Sequence, residues 1–361
     1  MRVSYLHCVK CRCRYSPHNA PQRCGCGGSI IVQYDWSGFK INWKSLRARP
    51  FNHLRYNEFY PPFKEIISLG EGGTPVINSV SSQSWHFKIE GSNPTGSVKD
   101  RGSSIEVSGM KENGVKRVVI ASSGHSGLSL AAYCARAGIH CDVVIPSTAS
   151  KRIIQEIQDF GADAKTVSGD CSAATAKAVS VSIKENIPLA GNYSYRREGE
   201  KSVSFELIDQ LGELDYIIAP MGDGSLIASM WRGCKDLCAA RLLYHMPRLV
   251  GVQSEGCCPI VRAFATDSRI RKVTPRGSPR SISCGDPLDG DLAIQSVKES
   301  EGGMVAVSGL EIARAEKTLS EKEGIDADPA AASTLAAAIK LKIPKTAKVA
   351  FVVAARGDDL D

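Results

Sequence analysis

The chain has 361 residues, of which 43% are hydrophobic and 23% charged, and this predicts a globular protein with room for two or more domains. No apolar run reaches the length of a membrane span, and Met1–Lys10 lacks the apolar stretch of a secretion signal, so we expect a cytoplasmic protein without membrane contact. The net charge of +7 suits an anionic small-molecule substrate, whereas nucleic acid is disfavoured because the basic residues are spread out without interleaved aromatic residues.

Five of the 13 cysteines lie within the first 26 residues and form two pairs with one extra member. Four thiolates suit a tetrahedral zinc ion, and the glycines that follow the second pair allow the backbone to turn its N–H groups toward sulfur. We therefore predict a structural zinc-ribbon-like segment over residues 1–40, with the ligands Cys8, Cys11, Cys24 and Cys26. A reduced, metal-free segment is the alternative, and three other side chains could replace a ligand: Cys13, His7 and His18.

The stretch Asn93–Gly102 reads Asn-Pro-Thr-Gly-Ser-Val-Lys-Asp-Arg-Gly and places Lys99 between a turn and a predicted helix. Such a turn can hold an amine at the mouth of a cleft, where it could form a Schiff base with an aldehyde cofactor, most commonly pyridoxal phosphate. A solvated surface lysine is about equally favoured by these ten residues alone. Two preceding segments predict an anion-binding loop at Leu69–Val76 and an alternating strand at Trp85–Glu90.

From residue 117 onward, apolar runs of strand length alternate with helical patterns. The predicted strands are Arg117–Ala121, Cys141–Ile145, Ala164–Ser168, Pro188–Ala190, Tyr216–Ala219, Arg248–Ser254 and Lys348–Ala354. The predicted helices are Leu128–Ala137, Lys151–Phe160, Ala173–Asn186, Leu226–Leu237, Ser308–Glu323 and an alanine-rich helix after Asp328. This alternation predicts an α/β fold with doubly wound parallel sheets, in which ligands bind at the carboxyl ends of the strands.

Two of the loops that follow predicted strands have the composition of anion-binding sites. Ser122–Gly127 could hold a substrate carboxylate through its hydroxyl and N–H groups, and Gly222–Ser225 could cradle a phosphate at the start of a helix. Plain turns of small residues are the alternative. Asp223 opposes a phosphate by its charge, so we expect its side chain to point away from the cradle. Neither a dinucleotide fingerprint nor a P-loop is present around these glycines.

Two further segments bear on the substrate. Tyr195–Ser202 contains three cations, among them Arg196 and Lys201, which could hold a second anion such as a substrate phosphate. A solvated, basic helix start is the alternative. Residues 266–290, rich in serine, proline, arginine and glycine, predict a mobile loop near the cleft.

Together these segments resemble threonine synthase and, more broadly, the tryptophan-synthase-β-like, fold-type II pyridoxal phosphate enzymes. The resemblance covers nearly the whole chain and involves the cysteine pairs, Leu69–Pro75, Asn93–Gly102, Arg196–Ser202 and Asp328–Ala330. It implies two parallel-sheet domains that flank a cofactor cleft, with the zinc-ribbon-like extension at the N-terminus. The implied boundaries are 41–104 with 191–361 for a large cofactor-binding domain and 105–190 for a small substrate-carboxylate domain.

The resemblance also implies roles for individual residues. Lys99 would bind the cofactor and move protons, and the cofactor contacts would further include His125, Gly222, Asp223, Gly224, Ser225 and Ala355. The substrate contacts would be Ser122, Ser123, Gly124, Ser126, Arg196 and Lys201. Three features depart from the family pattern. His125 replaces an asparagine, and the phosphate loop has Asp223 and Gly224-Ser225 in place of a neutral loop richer in glycine and asparagine. Ala355 replaces the hydroxyl residue that faces the pyridine nitrogen, a contact that Arg356 could supply instead.

The implied reaction is a carbon–oxygen lyase type of elimination followed by water addition, which converts O-phosphohomoserine to threonine and phosphate in a homodimeric enzyme. An alternative is β-replacement or dehydration of serine, threonine or phosphoserine. A third hypothesis is a homologue that binds the cofactor without catalysis, although the intact Lys99 disfavours it.

Overall fold

The computed structural model describes residues 2–17, 20–21, 23–169, 171–191, 194–277 and 279–357. Within these residues the strands form three sheets. The first is a small antiparallel sheet at the N-terminus, with the strand order β2-β1-β3. Its strands are β1 (Arg2–Cys8), β2 (Arg14–Tyr15) and β3 (Ile30–Asp35). His18, one of the alternative metal ligands, lies outside the described residues.

The largest sheet in the described part of the chain has six strands in the order β11-β10-β9-β12-β5-β4, and only the β4–β5 pair is antiparallel. Its strands are β4 (Val76–Asn78), β5 (Trp85–Ile89), β9 (Tyr216–Pro220), β10 (Arg248–Ser254), β11 (Gly303–Val307) and β12 (Val349–Val353). A third sheet, β6-β7-β8, is wholly parallel. It consists of β6 (Arg117–Ala121), β7 (His140–Pro146) and β8 (Asp163–Val167).

Helices surround these sheets. In chain order they are α1 (Trp43–Arg47), α2 (Lys99–Glu112), α3 (His125–Ala137), α4 (Lys151–Asp159), α5 (Cys171–Glu185), α6 (Ser194–Glu200), α7 (Ser202–Leu211), α8 (Ser225–Ala239), α9 (Pro259–Thr266), α10 (Gly290–Glu299), α11 (Gly309–Thr318) and α12 (Pro329–Lys340). Short 3₁₀ turns lie at His53–Phe59, Glu90–Ser92 and Arg280–Ile282. None of the helices in the described residues combines the length and the apolarity that crossing a membrane requires.

Both parallel sheets are covered on both faces, as a doubly wound fold demands. Along β12, Ala350 and Val352 pack into a cluster with α7, α8 and α10, whereas Phe351 and Val353 pack into another cluster with α11 and α12. The smaller sheet likewise packs α3 and α4 on one face and α5 on the other. A strand that is buried on both faces has a continuous run of apolar residues, so these strands could be predicted from the sequence. The predicted α/β fold with parallel sheets is confirmed.

Some elements differ from their prediction. Trp85–Ile89 is a strand, but it does not alternate between core and solvent: its side chains are buried on both faces because it lies between β12 and β4. Leu189 forms only an isolated bridge with Val119, so the predicted strand Pro188–Ala190 is absent from the described structure. The predicted helix Ser308–Glu323 is divided, because α11 ends at Thr318 and a π-helical turn follows.

A buried ionic network fixes the start of α2, the helix that begins with Lys99. Arg101 donates to Glu90 at 2.6 Å and to Glu206 at 2.7 Å, and all three side chains are fully buried. Lys88, also fully buried, donates to the same Glu206 at 2.7 Å. These two cations hold the pKa of Glu206 well below its usual range, even though burial alone would raise it. The network ties α2 to β5 and α7, and so it sets the direction in which the helix begins.

Candidate active site

A cavity of about 260 Å³ lies where the carboxyl ends of three parallel strands meet. Ser122 follows β6 and Ala354 follows β12, while Pro220 is the last residue of β9, and all three line the cavity. Ligands of doubly wound proteins bind at this end of the sheet because loops and helix starts converge there. The positions of the predicted ligand-binding loops can therefore be compared with this one cavity.

Lys99 is the first residue of α2 and lines this cavity. Its side chain keeps 29% of its surface exposed, and Nζ lies 3.9 Å from Oε1 of Glu200. The preceding residue, Val98, donates its N–H to the carbonyl of Ala354 at 2.8 Å, which joins the lysine loop to the end of β12. The amine is thus held at the cavity wall by a rigid backbone and remains open to a ligand.

The glycine loop Gly222–Ser225 lines the same cavity, opposite the start of α2, and leads into α8. Gly224 has a φ of +93°, and a Cβ built there would lie 2.9 Å from the carbonyl oxygen of Asp289 and from Ala293 Cβ. Only glycine satisfies both demands, since the positive φ and the close neighbours each disfavour a side chain. The start of a 15-residue helix that meets a cavity through such a loop is suited to an anion.

Asp223 does not turn away from the cradle, in contrast to our expectation. Its Oδ1 accepts the N–H of Ser225 at 3.0 Å, one of the donors that a bound phosphate would use. Burial raises the pKa of Asp223, and the nearby Lys99 amine opposes this only in part. Asp223 therefore occupies a donor of the loop that a bound phosphate would need.

The serine loop contributes a third wall, formed by Ser122, Ser123, Gly124, His125 and Ser126. The Ser122 hydroxyl accepts the N–H of Gly127 at 2.9 Å and that of Gly124 at 3.2 Å, so it shapes the turn into α3. The loop therefore presents side chains and N–H groups at a helix start, which is an arrangement able to receive a carboxylate.

Of the two predicted anion-binding cations, the structure brings only Arg196 to the cavity. Its side chain is 2% exposed, and Nη1 donates to Glu106 at 2.7 Å. Nη2 is buried and has no hydrogen-bond partner among the described residues, while Nε lies 3.7 Å from Oε1 of Glu200. Nη2 is thus a buried donor without an acceptor in a side chain that lines the cavity.

The structure does not support the prediction that Lys201 contacts the substrate, because Lys201 lies outside the described cavity lining. It is fully buried and donates to Glu198 and, at 2.7 Å, to Asp236. It also lies over the Tyr34 ring, 4.5 Å from the centroid. Both neighbouring carboxylates are occupied by this amine, so Lys201 joins α6 to α8 as a structural ion pair.

Glu200 is a cavity residue that our sequence reasoning missed. Its side chain is fully buried; Oε2 accepts from the Ser225 hydroxyl at 2.6 Å, while Oε1 has no hydrogen-bond donor among the described residues. The sequence could have indicated Glu200, because it lies four residues after Arg196 and residues four apart share one face of a helix. Further lining residues outside the predicted set are Ser281, Ile282, Ser283, Cys284, Asp328 and Ala330, of which the first four lie in the segment expected near the cleft.

The last strand brings Ala354 and Ala355 to the cavity wall. Arg356, the residue that could have replaced the missing hydroxyl, does not line the cavity in the described structure. Its guanidinium instead lies 3.5 Å from Glu156 on α4. Ala355 therefore contributes a methyl group at the position where the resemblance implied a hydroxyl, and Ser97, which forms a bridge with Ala355, also lines the cavity.

Four of the N-terminal cysteines form a compact cluster at some distance in sequence from the cavity. The sulfur atoms of Cys8, Cys11, Cys24 and Cys26 all lie within 4.8 Å of one another. The Tyr15 hydroxyl lies 3.0 Å from the sulfur of Cys24, and this hydrogen bond is the main cause that lowers the pKa of Cys24 to about 6. Cys13 is outside the cluster in the described structure.

Comparison with known proteins adds an independent line of evidence. The family model of pyridoxal-phosphate dependent enzymes matches residues 67–355. Threonine synthase from Methanocaldococcus jannaschii is 34% identical over 353 residues, covering 92% of this chain and 86% of that protein. Threonine synthase from Methanosarcina acetivorans is 31% identical, covering 93% and 86%. Serine racemase from Dictyostelium discoideum superposes with a TM-score of 0.69 at 23% identity, covering 89% of this chain and 99% of that structure, and shares the fold.

Proposed function

The chain belongs to the threonine synthase family of pyridoxal-phosphate dependent enzymes, and from this premise we propose that it converts O-phosphohomoserine to threonine and phosphate. It is a lyase that uses pyridoxal phosphate and acts on an amino acid. The finer proposal, a phosphorylated substrate, is supported above all by one observation. The buried Arg196 keeps an unused donor on the wall of the cavity that also contains Lys99.

The cavity suits the cofactor in its donors and in its shape. We propose that Lys99 holds the aldehyde carbon, that Gly222, Asp223, Gly224 and Ser225 hold the phosphate, and that His125 and Ala355 flank the ring. The support is the glycine loop itself, in which Gly224 has a φ of +93° and leads directly into α8, so that backbone N–H groups at a helix start could receive the phosphate. Pyridoxal phosphate supplies, when bound, a ring that takes up the negative charge left when a proton leaves the α-carbon.

The side chains of this protein would do the remaining work. The Lys99 amine would carry the α-proton, since it lies at the cavity and is held by the start of α2. The loop containing Ser122, Ser123, Gly124 and Ser126 would bind the substrate carboxylate. Arg196 would bind the substrate phosphate and keep that leaving group aligned.

Phosphate release tests this proposal. Purified enzyme loaded with pyridoxal phosphate should release phosphate and form threonine from O-phosphohomoserine, and release from phosphoserine should be much slower. Lys99→Ala should abolish turnover together with the visible absorbance of covalently held cofactor. Arg196→Gln should raise KM for the phosphorylated substrate about 10- to 100-fold, because a charge-assisted hydrogen bond is lost. Turnover of phosphoserine but not of phosphohomoserine would overturn the substrate assignment.

A second candidate is β-replacement or dehydration of an unphosphorylated amino acid such as serine or threonine. The observation that favours it is the presence of two acidic side chains, Glu200 and Asp223, in the cavity, because a carboxylate repels a phosphate dianion. Ammonia or oxo-acid formation from serine or threonine by the loaded enzyme would support this candidate. A folded protein that holds the cofactor and turns over none of these substrates would support a non-catalytic homologue.

We further propose that Cys8, Cys11, Cys24 and Cys26 bind a structural zinc ion. The support is the mutual distance of their sulfur atoms and the presence of a thiolate-favouring hydrogen bond at Cys24. Metal analysis of purified protein, with one equivalent of zinc lost in a Cys11→Ser Cys26→Ser double variant, tests the assignment. Zinc content unchanged in that variant would contradict it.

The division of the chain into segments is also a proposal. We propose the zinc-ribbon-like segment 1–40, the cofactor domain 41–104 with 191–361, and the carboxylate domain 105–190. A homodimer is supported by exposed apolar side chains on α11 and α12, where Leu310 keeps 62% and Ile339 58% of its surface exposed. Light scattering of the purified protein would decide between monomer and dimer.

A further inference from the structure

Glu200 is an unusual neighbour for a phosphate-binding arginine. The residue belongs to α6, is fully buried and lines the cavity between Lys99 and Ser225. Its Oε2 is occupied by the Ser225 hydroxyl at 2.6 Å and the Ser229 hydroxyl at 3.3 Å. Its Oε1 accepts no hydrogen bond from the described residues. A buried acceptor without a donor is costly, so this oxygen is suited to receive a donor from a ligand.

Two cationic side chains lie close to Oε1 of Glu200. Lys99 Nζ on α2 lies 3.9 Å from Oε1, and Arg196 Nε on α6 lies 3.7 Å from the same atom. From α8 only the two serine hydroxyls approach it. Glu106 accepts a hydrogen bond from Arg196, and the further titratable side chains that line the described cavity are Asp223, His125, Cys284 and Asp328.

The free donor and the free acceptor form a pair. Arg196 Nη2 is an N–H donor without an acceptor, Glu200 Oε1 is an acceptor without a hydrogen-bond donor, and both side chains line the same cavity. A phosphate dianion would satisfy the arginine, but it would place an anionic oxygen against the carboxylate. A singly protonated phosphate satisfies both, because one oxygen accepts from Arg196 while the P–OH donates to Glu200.

We propose that Glu200 and Arg196 together select the substrate phosphate in its singly protonated form, so that Glu200 determines the specificity of the phosphate subsite. This inference rests on the proposed phosphorylated substrate. It assigns Glu200 a contact with the ligand rather than a role in holding the fold. It also reconciles the acidic residues of the cavity with a phosphorylated substrate.

Binding measurements on the loaded enzyme test the proposal without turnover. The ligands are a phosphonate analogue of phosphohomoserine, which lacks the scissile oxygen, and the matching sulfonate, which is a monoanion at every pH and has no acidic hydroxyl. Calorimetric titration is done across the second dissociation of the phosphonate, whose pH is measured on the free ligand. Because the sulfonate does not titrate, the ratio of the two affinities removes the pH effects that both ligands share.

Above the pH of that dissociation, the affinity of the wild-type protein for the phosphonate, relative to the sulfonate, should fall about tenfold per pH unit. The reason is that the fraction of phosphonate that is singly protonated falls by the same factor. Glu200→Gln should remove this dependence and should bind the sulfonate more tightly than the wild type does. The control variant Glu213→Gln changes an exposed residue outside the described cavity lining and should keep the wild-type slope.

The outcomes separate the two proposals. A pH-independent affinity ratio in the wild type, or a wild-type slope in Glu200→Gln, overturns the role of Glu200 while leaving the phosphorylated substrate in place. No binding of phosphonate at any pH by a protein with intact cofactor absorbance overturns the phosphorylated substrate and this inference with it. If Glu200→Gln does not fold, the slope of the wild-type ratio decides by itself.

Discussion

Ser29 donates a 2.6 Å hydrogen bond to Asp289, across 260 residues of sequence. Ser29 directly follows the glycines of the second cysteine pair, and Asp289 packs beneath the glycine loop. The N–H of Asp289 also donates to the carbonyl of Asp223 at 3.1 Å, and its second carboxylate oxygen accepts from Arg197 at 2.9 Å. Asp289 therefore connects the cysteine segment to the proposed phosphate cradle.

We expect loss of the zinc ion proposed at the four-cysteine cluster to weaken cofactor binding through this connection. A chelator should raise the Kd for pyridoxal phosphate, and Ser29→Ala should raise it about fivefold, since one buried hydrogen bond contributes about 1 kcal/mol. Absorbance titration of the apoenzyme with cofactor gives the Kd. Ser37→Ala, an exposed serine beyond β3, serves as the control and should change nothing. An unchanged Kd after the bound metal is removed would argue against the connection.

Gly224→Ala should impair cofactor binding far more than it impairs folding. The new Cβ would meet Asp289 O and Ala293 Cβ at 2.9 Å and would also require a φ of +93°. We expect at least tenfold weaker binding of pyridoxal phosphate, since misplacing the cradle by a few tenths of an ångström disturbs several N–H donors. The measurement is the same absorbance titration.

Gly114→Ala is the control that introduces backbone strain without the close contacts that a side chain would make at Gly224. Gly114 also has a positive φ, of +69°, but a Cβ there would meet no atom within 4 Å. It should lower the free energy of unfolding by about 1 kcal/mol and leave the cofactor Kd unchanged. Equal losses of cofactor affinity in both variants would contradict the assignment of the cradle.

Lys201→Met should lower stability without changing substrate recognition. It leaves Glu198 and Asp236 buried without their shared cation, which costs about 3–5 kcal/mol in the free energy of unfolding. Urea unfolding measures that cost, and KM for the phosphorylated substrate should remain within twofold in the folded fraction. Arg196→Lys gives the matched comparison, because it should raise KM instead. A KM increase in Lys201→Met equal to that of Arg196→Lys would restore the original prediction of a substrate contact.

His53 should make the protein less stable as the pH falls. Burial lowers the pKa of His53 to about 4, while the unfolded chain titrates near the ordinary value of 6.5. Between these values the unfolded state binds the extra proton, so the free energy of unfolding decreases as the pH falls from about 6.5 to about 4, by up to about 3 kcal/mol.

Urea unfolding as a function of pH measures this contribution. His53→Gln should flatten the curve in that window. The ring of His53 lies 3.0 Å from the Ser202 hydroxyl and stacks on Tyr60, so glutamine preserves a polar partner there. An unchanged slope in His53→Gln would assign the pH dependence to other groups.

The sequence by itself determined the features that depend on local pattern. Continuous apolar runs alternating with amphipathic segments predicted a doubly wound parallel sheet, because strands covered on both faces have no polar side. The division into two such domains followed from the family resemblance. The spacing of Cys8, Cys11, Cys24 and Cys26 predicted a cluster that the backbone turns of that segment suffice to bring together. The Lys99 loop and the glycine loop were recognisable because their turn residues and helix starts are local.

Only the tertiary structure determined in which direction each of the consecutive charged side chains at the end of α6 points. Glu200 faces the cavity and Lys201 faces Glu198 and Asp236, although both are charged residues of one basic stretch. The side of a short helix that becomes buried depends on the elements packed against it, here α2 and α8, and these are distant in sequence. For the same reason, the bond from Ser29 to Asp289 has no signature in either segment alone.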